Sequence, residues 1–186
     1  MVKTLGIGWI KNSRYGLRGK RKSQGYADLK SLYLKLNEKK IFKCPVDNFN
    51  RFDQASKLAS IAIALALYDA GIVYAKGKKQ NIGILGTSPL GATDANLAYF
   101  RDYIAGKRIL GRANLFIYTL PSSSLAEAAI HFGLTGPLLY MGFSGNSQDT
   151  RLIEHAKNMV KSGQAKAIVV LKSTNKETVC FIIGVK

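Results

Sequence analysis

The stretch YMGFSGNSQDT, residues 140–150, has the form of a strand running through a small-residue turn into a helix, and the turn carries Ser144, Asn146 and Ser147. A serine on such a turn attacks a carbonyl only if a base takes its proton and amide donors hold the oxyanion that forms. The outline Gly142-Phe143-Ser144-Gly145-Asn146 approximates the nucleophile elbow of hydrolases, but Asn146 stands where that pattern has its last glycine. The acid and the histidine of such a site should follow in the chain. Only His155 follows, about two turns along the same helix and at the wrong end to reach Ser144. An α/β-hydrolase is therefore disfavoured, and a serine-dependent acyl transferase or thioesterase using Ser144 or Ser147, with Asn146 and the turn amides as oxyanion donors, stays as an alternative. His131 precedes the turn and reads as a packed or surface residue. Cys44 and Cys180 have no CxxC spacing and read as reduced core thiols. With no ligand spacing among these histidines and cysteines, neither a metal nor a cofactor is expected. Gly6 and Gly8 lack the third glycine and immediate helix of a dinucleotide fingerprint.

The elements that must position this turn follow from hydrophobic periodicity. In a chain of 186 residues, nearly half of them apolar and 18 of them glycine, we expect one ordered domain of alternating strands and helices. Residues 2–10 suit a buried first strand. Asp53 is placed to cap a helix whose apolar positions Ala55, Leu58, Ala59, Ile61, Ala62, Leu65 and Ala66 leave almost no polar face, with Gly71 at its stop. Residues 81–87 form a second strand, and 94–104 a helix with Leu97, Phe100 and Tyr103 on one side. A helix then opens after Pro121, with Ser123 or Ser124 as cap and Glu127 as the acidic member of a capping box, and it stops at Gly133. Residues 138–143 form a third strand, 147–162 a helix, and 165–172 and 178–185 the last two strands. The short turn between those two makes them antiparallel, while the helical crossovers favour parallel neighbours. The reading is an α/β fold in a single domain, 1–186, with a mixed five-stranded sheet in the order β-α-β-α-β-α-β-β, helices on its faces, and a basic insertion at about 11–48.

The formal charge of +17 predicts an acidic partner or surface. It is concentrated early, where Lys11, Arg14, Arg18, Lys20, Arg21, Lys22, Lys30, Lys35, Lys39, Lys40 and Lys43 face only Asp28 and Glu38. Tyr15, Tyr26 and Tyr33 are interleaved, so the segment reads either as a nucleic-acid-binding surface or as a solvated, partly mobile loop. The longest apolar run, 58–67, is too short to span a bilayer, and the first ten residues lack the features of a signal peptide, which makes the cytoplasm the expected location.

Four stretches in order, RFDQASKLASIAIALALYDAGI, NIGILGTSPLG, LPSSSLAEAAIHFGLTGP and GQAKAIVVLKS, resemble the amino-terminal half of the β-ketoacyl synthases of the thiolase-like superfamily. The resemblance covers about residues 50–175 and implies the same half-domain topology. It also implies that the strand after Gly136-Pro137 leads to a helix N-terminus bearing a cysteine, whose thiol pKa is lowered there and which forms the acyl thioester. Counting along this sequence, Gly145 occupies that place, between Ser144 and Asn146. The family's two catalytic histidines belong to its carboxyl-terminal half, and neither His131 nor His155 matches them. Leu152, Ile153, Ala156, Met159 and Val160 make one apolar stripe on the helix after the turn, while Arg151, Glu154, His155, Lys157, Asn158 and Lys161 are polar, so a chain adapted to fold without a second half is expected.

What the resemblance then implies is a non-catalytic accessory or binding protein of fatty-acid or polyketide-type biosynthesis. The strand Leu138, Leu139, Tyr140, Met141, Gly142 and Phe143 would pair across a two-fold axis, in a homodimer or in a heterodimer with a ketosynthase. Arg18, Lys20, Arg21 and Lys22 would meet an acidic acyl carrier protein. Tyr140 and Phe143 are candidates to line a passive acyl pocket, although packing explains both as well.

Overall fold

The computed structural model describes residues 1–18, 23–107, 109–142, 148–174 and 176–185. The apolar amino-terminal run forms β1 (Val2–Lys11) and turns back through Asn12 and Ser13, both at positive φ, into β2 (Arg14–Leu17). A short β3 (Gln24–Gly25) pairs antiparallel with β2. The capped helix α1 (Leu29–Glu38) follows, with Asp28 accepting from the amides of Lys30 and Ser31. A short 3-10 turn, Phe49–Arg51, leads to α2 (Gln54–Asp69), where the Asp53 side chain accepts from the Ser56 amide as its spacing predicts. Next come β4 (Ile82–Thr87), α3 (Thr93–Ala105), a one-turn α4 (Ala113–Phe116) and a 3-10 turn, Ile117–Thr119. The chain closes with α5 (Ser123–Phe132), β5 (Leu138–Tyr140), α6 (Gln148–Lys161), β6 (Ala167–Ser173) and β7 (Thr178–Val185).

The strands make one mixed sheet in the order β3-β2-β1-β7-β6-β4-β5. As the connections predict, β4 lies parallel between β5 and β6, whereas β7 is antiparallel to β6 and to β1. Among the described residues the sheet has seven strands where the sequence predicts five. The two extra strands lie in the basic insertion and extend the free edge of β1. Their segments are too short and too polar to carry a strand period.

Two cores flank the sheet. On one face α2 packs with α1 and α5 against Ile10, Ile84, Val169, Leu171 and Ile182. Eleven residues of α2 are buried, in keeping with a helix that has no polar face. It lies so close to β1 that a Cβ on Gly8 would collide with the carbonyl oxygen of Ala62. This close approach is the work of the Gly6 and Gly8 pair. The Ile7 amide also donates to Asp69 Oδ2 at 2.9 Å, fastening the end of α2 to the strand. On the other face α6 alone covers Leu85, Ile168, Val170 and Ile183 with Leu152, Ala156, Met159 and Val160.

Two local expectations are corrected. The basic insertion is not simply a solvated loop: Leu32, Leu36, Ile41, Phe42, Val46 and Phe49 are core residues. Its tyrosines are used internally, for Tyr15 is buried and Tyr33 stacks on Phe49 at 4.0 Å while its hydroxyl accepts from the Val46 amide. At α5 the cap position is Ser122 and no side chain caps the helix, so the predicted capping box does not form. The stop at Gly133, in the left-handed conformation, is as predicted.

Candidate functional site

The turn predicted to carry chemistry, Phe143, Ser144, Gly145, Asn146 and Ser147, lies outside the described residues. Its flanks are described. β5 ends at Tyr140, shorter than the strand predicted to reach 143, and the Met141 amide still donates to the Gly86 carbonyl oxygen beyond it. On the far side α6 has the one-sided character read from the sequence, with Arg151, Glu154, His155, Asn158 and Lys161 exposed.

β5 forms one edge of the sheet, so its outer backbone groups face away from β4. Leu139 is 42% exposed there. Near this edge stands α3, none of whose residues is buried, with Leu97, Phe100 and Ile104 about half exposed or more. Phe116, Ile117 and Leu120 continue the apolar surface. Single exposed apolar side chains are ordinary; here α3 packs against the 117–119 turn, so several of them share one region.

A cavity of about 290 Å³ opens at the carboxyl ends of the parallel strands β4, β5 and β6, bordered also by α3 and the amino-terminal ends of α2 and α5. Thr87, Ser88 and Tyr140 line it from the strand ends, and Asp53, Tyr118 and Ser124 from the helical side. The Tyr140 hydroxyl donates to the Ser88 carbonyl oxygen at 3.0 Å. Burial, together with the nearby charges of Glu127 and Asp53, pushes the Tyr118 hydroxyl up to about 12, so Tyr118 stays protonated at neutral pH. The sequence marks Asp53 and Ser124 only as caps and Ser88 only as part of a loop. A signal was nevertheless present, because loops that follow the carboxyl ends of parallel strands converge on one crevice.

Of the predicted carrier-binding cations, Arg18 is described, and its Nη1 donates to the Thr4 carbonyl oxygen at 2.8 Å. Lys20, Arg21 and Lys22 lie outside the described residues. Exposed Arg14 and Lys39 lie nearby, bonded to Ser23 and Gln24. His131 is packed among Phe42, Tyr74 and Phe132, as its reading as a packed residue has it. Its Nε2 is buried with no hydrogen-bond partner, and burial lowers its pKa to about 4. Cys180 is buried in β7 and Cys44 half-buried; both are free thiols whose pKa burial raises. Among the described residues, no group of three or more histidines, cysteines and carboxylates is placed to hold a metal. No helix there is long and apolar enough to cross a membrane.

A mixed sheet with an all-apolar helix on one face and an amphipathic one on the other makes this an α/β fold, and solved structures show which one: it is the fold of ketosynthases. The ishigamide ketosynthase/chain length factor superposes with a TM-score of 0.67 at 11% identity, over 99% of this chain and 62% of that one. A β-ketoacyl synthase from Burkholderia phymatum gives 0.67 at 12% identity, over 100% and 59%. A type II polyketide ketosynthase bound to its acyl-carrier protein gives 0.62 at 8% identity, over 98% and 57%. The chain thus spans about 60% of the length of each of these three proteins. No family model and no curated protein matches the sequence.

Proposed function

We propose that this chain is a non-catalytic ketosynthase-like binding protein that assembles through the β5 edge and meets an acidic carrier protein through its basic insertion. The observation that carries the reading is the open edge of β5, which exposes Leu139, together with an α3 that buries none of its apolar side chains. An unpaired edge and an exposed set of apolar side chains, Leu97, Phe100 and Ile104, are liabilities for a monomer and assets for a partner that covers them. A second copy related by a two-fold axis supplies both an edge and a matching apolar face, so a homodimer is the assembly we favour. The solved relatives include a ketosynthase with a chain length factor, and a heterodimer with a synthase would use the same surface.

The absence of catalysis rests on the sequence, in which Gly145 stands where the resemblance puts the thiol. It also rests on α6, whose exposed Arg151, Glu154, His155 and Lys161 would lose solvation under a second apolar layer. A carrier protein is the partner we infer for the basic insertion, because Tyr15 is buried and Tyr26 and Tyr33 are half-buried against the core, which leaves little ring surface to stack on bases, while Lys30, Lys35, Lys39, Lys40 and Lys43 are exposed. One solved relative is bound to such a protein. Sedimentation tests the assembly. The wild-type chain should run as a dimer and Leu139→Lys as a folded monomer, and a wild-type monomer that binds neither a synthase nor a carrier protein refutes the reading.

A further inference from the structure

The two faces of the sheet are covered unequally. Among the described residues, α6 is the one helix on the second face, where it buries Leu85, Ile168, Val170 and Ile183 completely. Beyond α6 that face continues across β7, β1 and β2. Phe181 stands opposite Val170 and Ile7, and Trp9 stands opposite Val179 and Gly16, so side-chain alternation puts Ile7, Trp9, Val179 and Phe181 on it together. The Trp9 ring lies over Gly16, where a Cβ would strike it. All four side chains are half-buried, and Ile7, Trp9 and Val179 join neither core. An antiparallel sheet that faces water carries polar side chains there. This one carries an apolar strip with a cationic rim. Lys11 follows Trp9 on the same face, its cross-strand neighbour Arg14 precedes Gly16, and Arg18 stands at the end of β2, all three exposed. Glu177 is the carboxylate beside them, paired with Lys11 at 3.1 Å.

We propose that this strip docks an amphipathic helix of a partner protein, apolar where it meets the sheet and acidic along its flanks. Neighbouring helices pack about 10 Å apart, the width of two strands at about 4.8 Å each. Since α6 packs chiefly on β6 and β7, the next helical place falls over β1 and β2, where Trp9 and Gly16 lie. A helix there lies beside α6 and leaves the polar side of α6 in water. Lys11, Arg14 and Arg18 then meet its acidic flank, and the charge of +17 steers it in. A second copy of this chain fits poorly, because it would bring its own cations against these. A nucleic-acid strand would meet the same cations but needs rings to stack on, and Ile7 and Val179 offer none. The strip lies at the opposite end of the sheet from β5, and the proposal requires neither the β5 assembly nor that the partner be a carrier protein.

Trp9 is the only tryptophan in the chain, so its fluorescence reports on the strip directly. The probe is a tryptophan-free helical peptide of about 16 residues with leucines at helical spacing and glutamates on both flanks, titrated into the full chain. A second peptide carries lysines in place of the glutamates. The glutamate peptide should shift Trp9 emission to the blue with a Kd in the micromolar range, and the lysine peptide should bind about tenfold more weakly or not at all. Lys11→Gln combined with Arg14→Gln changes two exposed residues and should weaken the glutamate peptide about fivefold, whereas Leu139→Lys, at the far edge of the sheet, should leave it unchanged. The proposal is overturned if the emission does not move, if the two peptides bind equally, if the folded double variant binds as the wild type does, or if oligothymidylate produces the shift in the peptide's place.

Discussion

His131 shows how one side chain couples the fold to pH. Its ring sits among Phe42, Tyr74 and Phe132, and burial is the main reason its pKa falls from 6.5 to about 4, with Asp47 opposing the shift and Lys76 adding to it. A histidine that binds its proton less readily when folded than when unfolded stabilises the fold fully only above the unfolded pKa. Stability should therefore fall as pH drops from about 6.5 towards 4, by on the order of 1–2 kcal/mol once partial solvent screening is allowed for. Thermal melts of wild type and His131→Phe across that range check this. The variant keeps an aromatic ring in the cluster, and it should lose most of the histidine's contribution to the slope. At Gly8 the constraint is steric. Gly8→Val should cost about 3 kcal/mol or more in denaturant unfolding, because a side chain there meets the backbone of α2 and not a movable side-chain end.

At the scale of elements, the sequence made visible what hydrophobic period and punctuation encode. The Asp53 cap, the unbroken apolar character of α2 and the stops at Gly71 and Gly133 all stand in the structure. So does the antiparallel β6-β7 pair, because the short connection between them permits little else. β2 and β3 were illegible, since four residues and two residues carry no period and their pairing depends on the free edge of β1. The capping box from Ser123 or Ser124 to Glu127 failed because the helix starts earlier, with Ser122 at the cap, and the Ser123 hydroxyl turns back to the Ile117 carbonyl oxygen of the preceding 3-10 turn. The cavity was hidden for a related reason: Asp53, Thr87 and Tyr118 are far apart in sequence and meet only through the strand ends. The two faces of α6 give an element-scale prediction. Leu152→Ala should destabilise by about 2–5 kcal/mol, whereas Glu154→Ala should stay within about 0.5 kcal/mol, as chemical denaturation of both would show.

For the molecule as a whole, charge and apolar surface lie in different places and serve different contacts. The cations gather around β2, β3 and α1, while the exposed apolar side chains gather around α3 and the β5 edge, at the opposite end of the sheet. Carrier binding should therefore weaken with added salt while self-association does not, because exposed charges are screened and apolar burial is not. Sedimentation and carrier titration from low to moderate salt would separate the two. If β5 continues its sheet into a partner, hydrogen exchange at the Tyr140 amide reports it. The Met141 amide points to Gly86, so by strand alternation the Tyr140 amide points to the open edge. The Tyr140 amide should be protected at high protein concentration and exchange freely on dilution or in Leu139→Lys. Fast exchange at every concentration, with or without a partner protein, would contradict it.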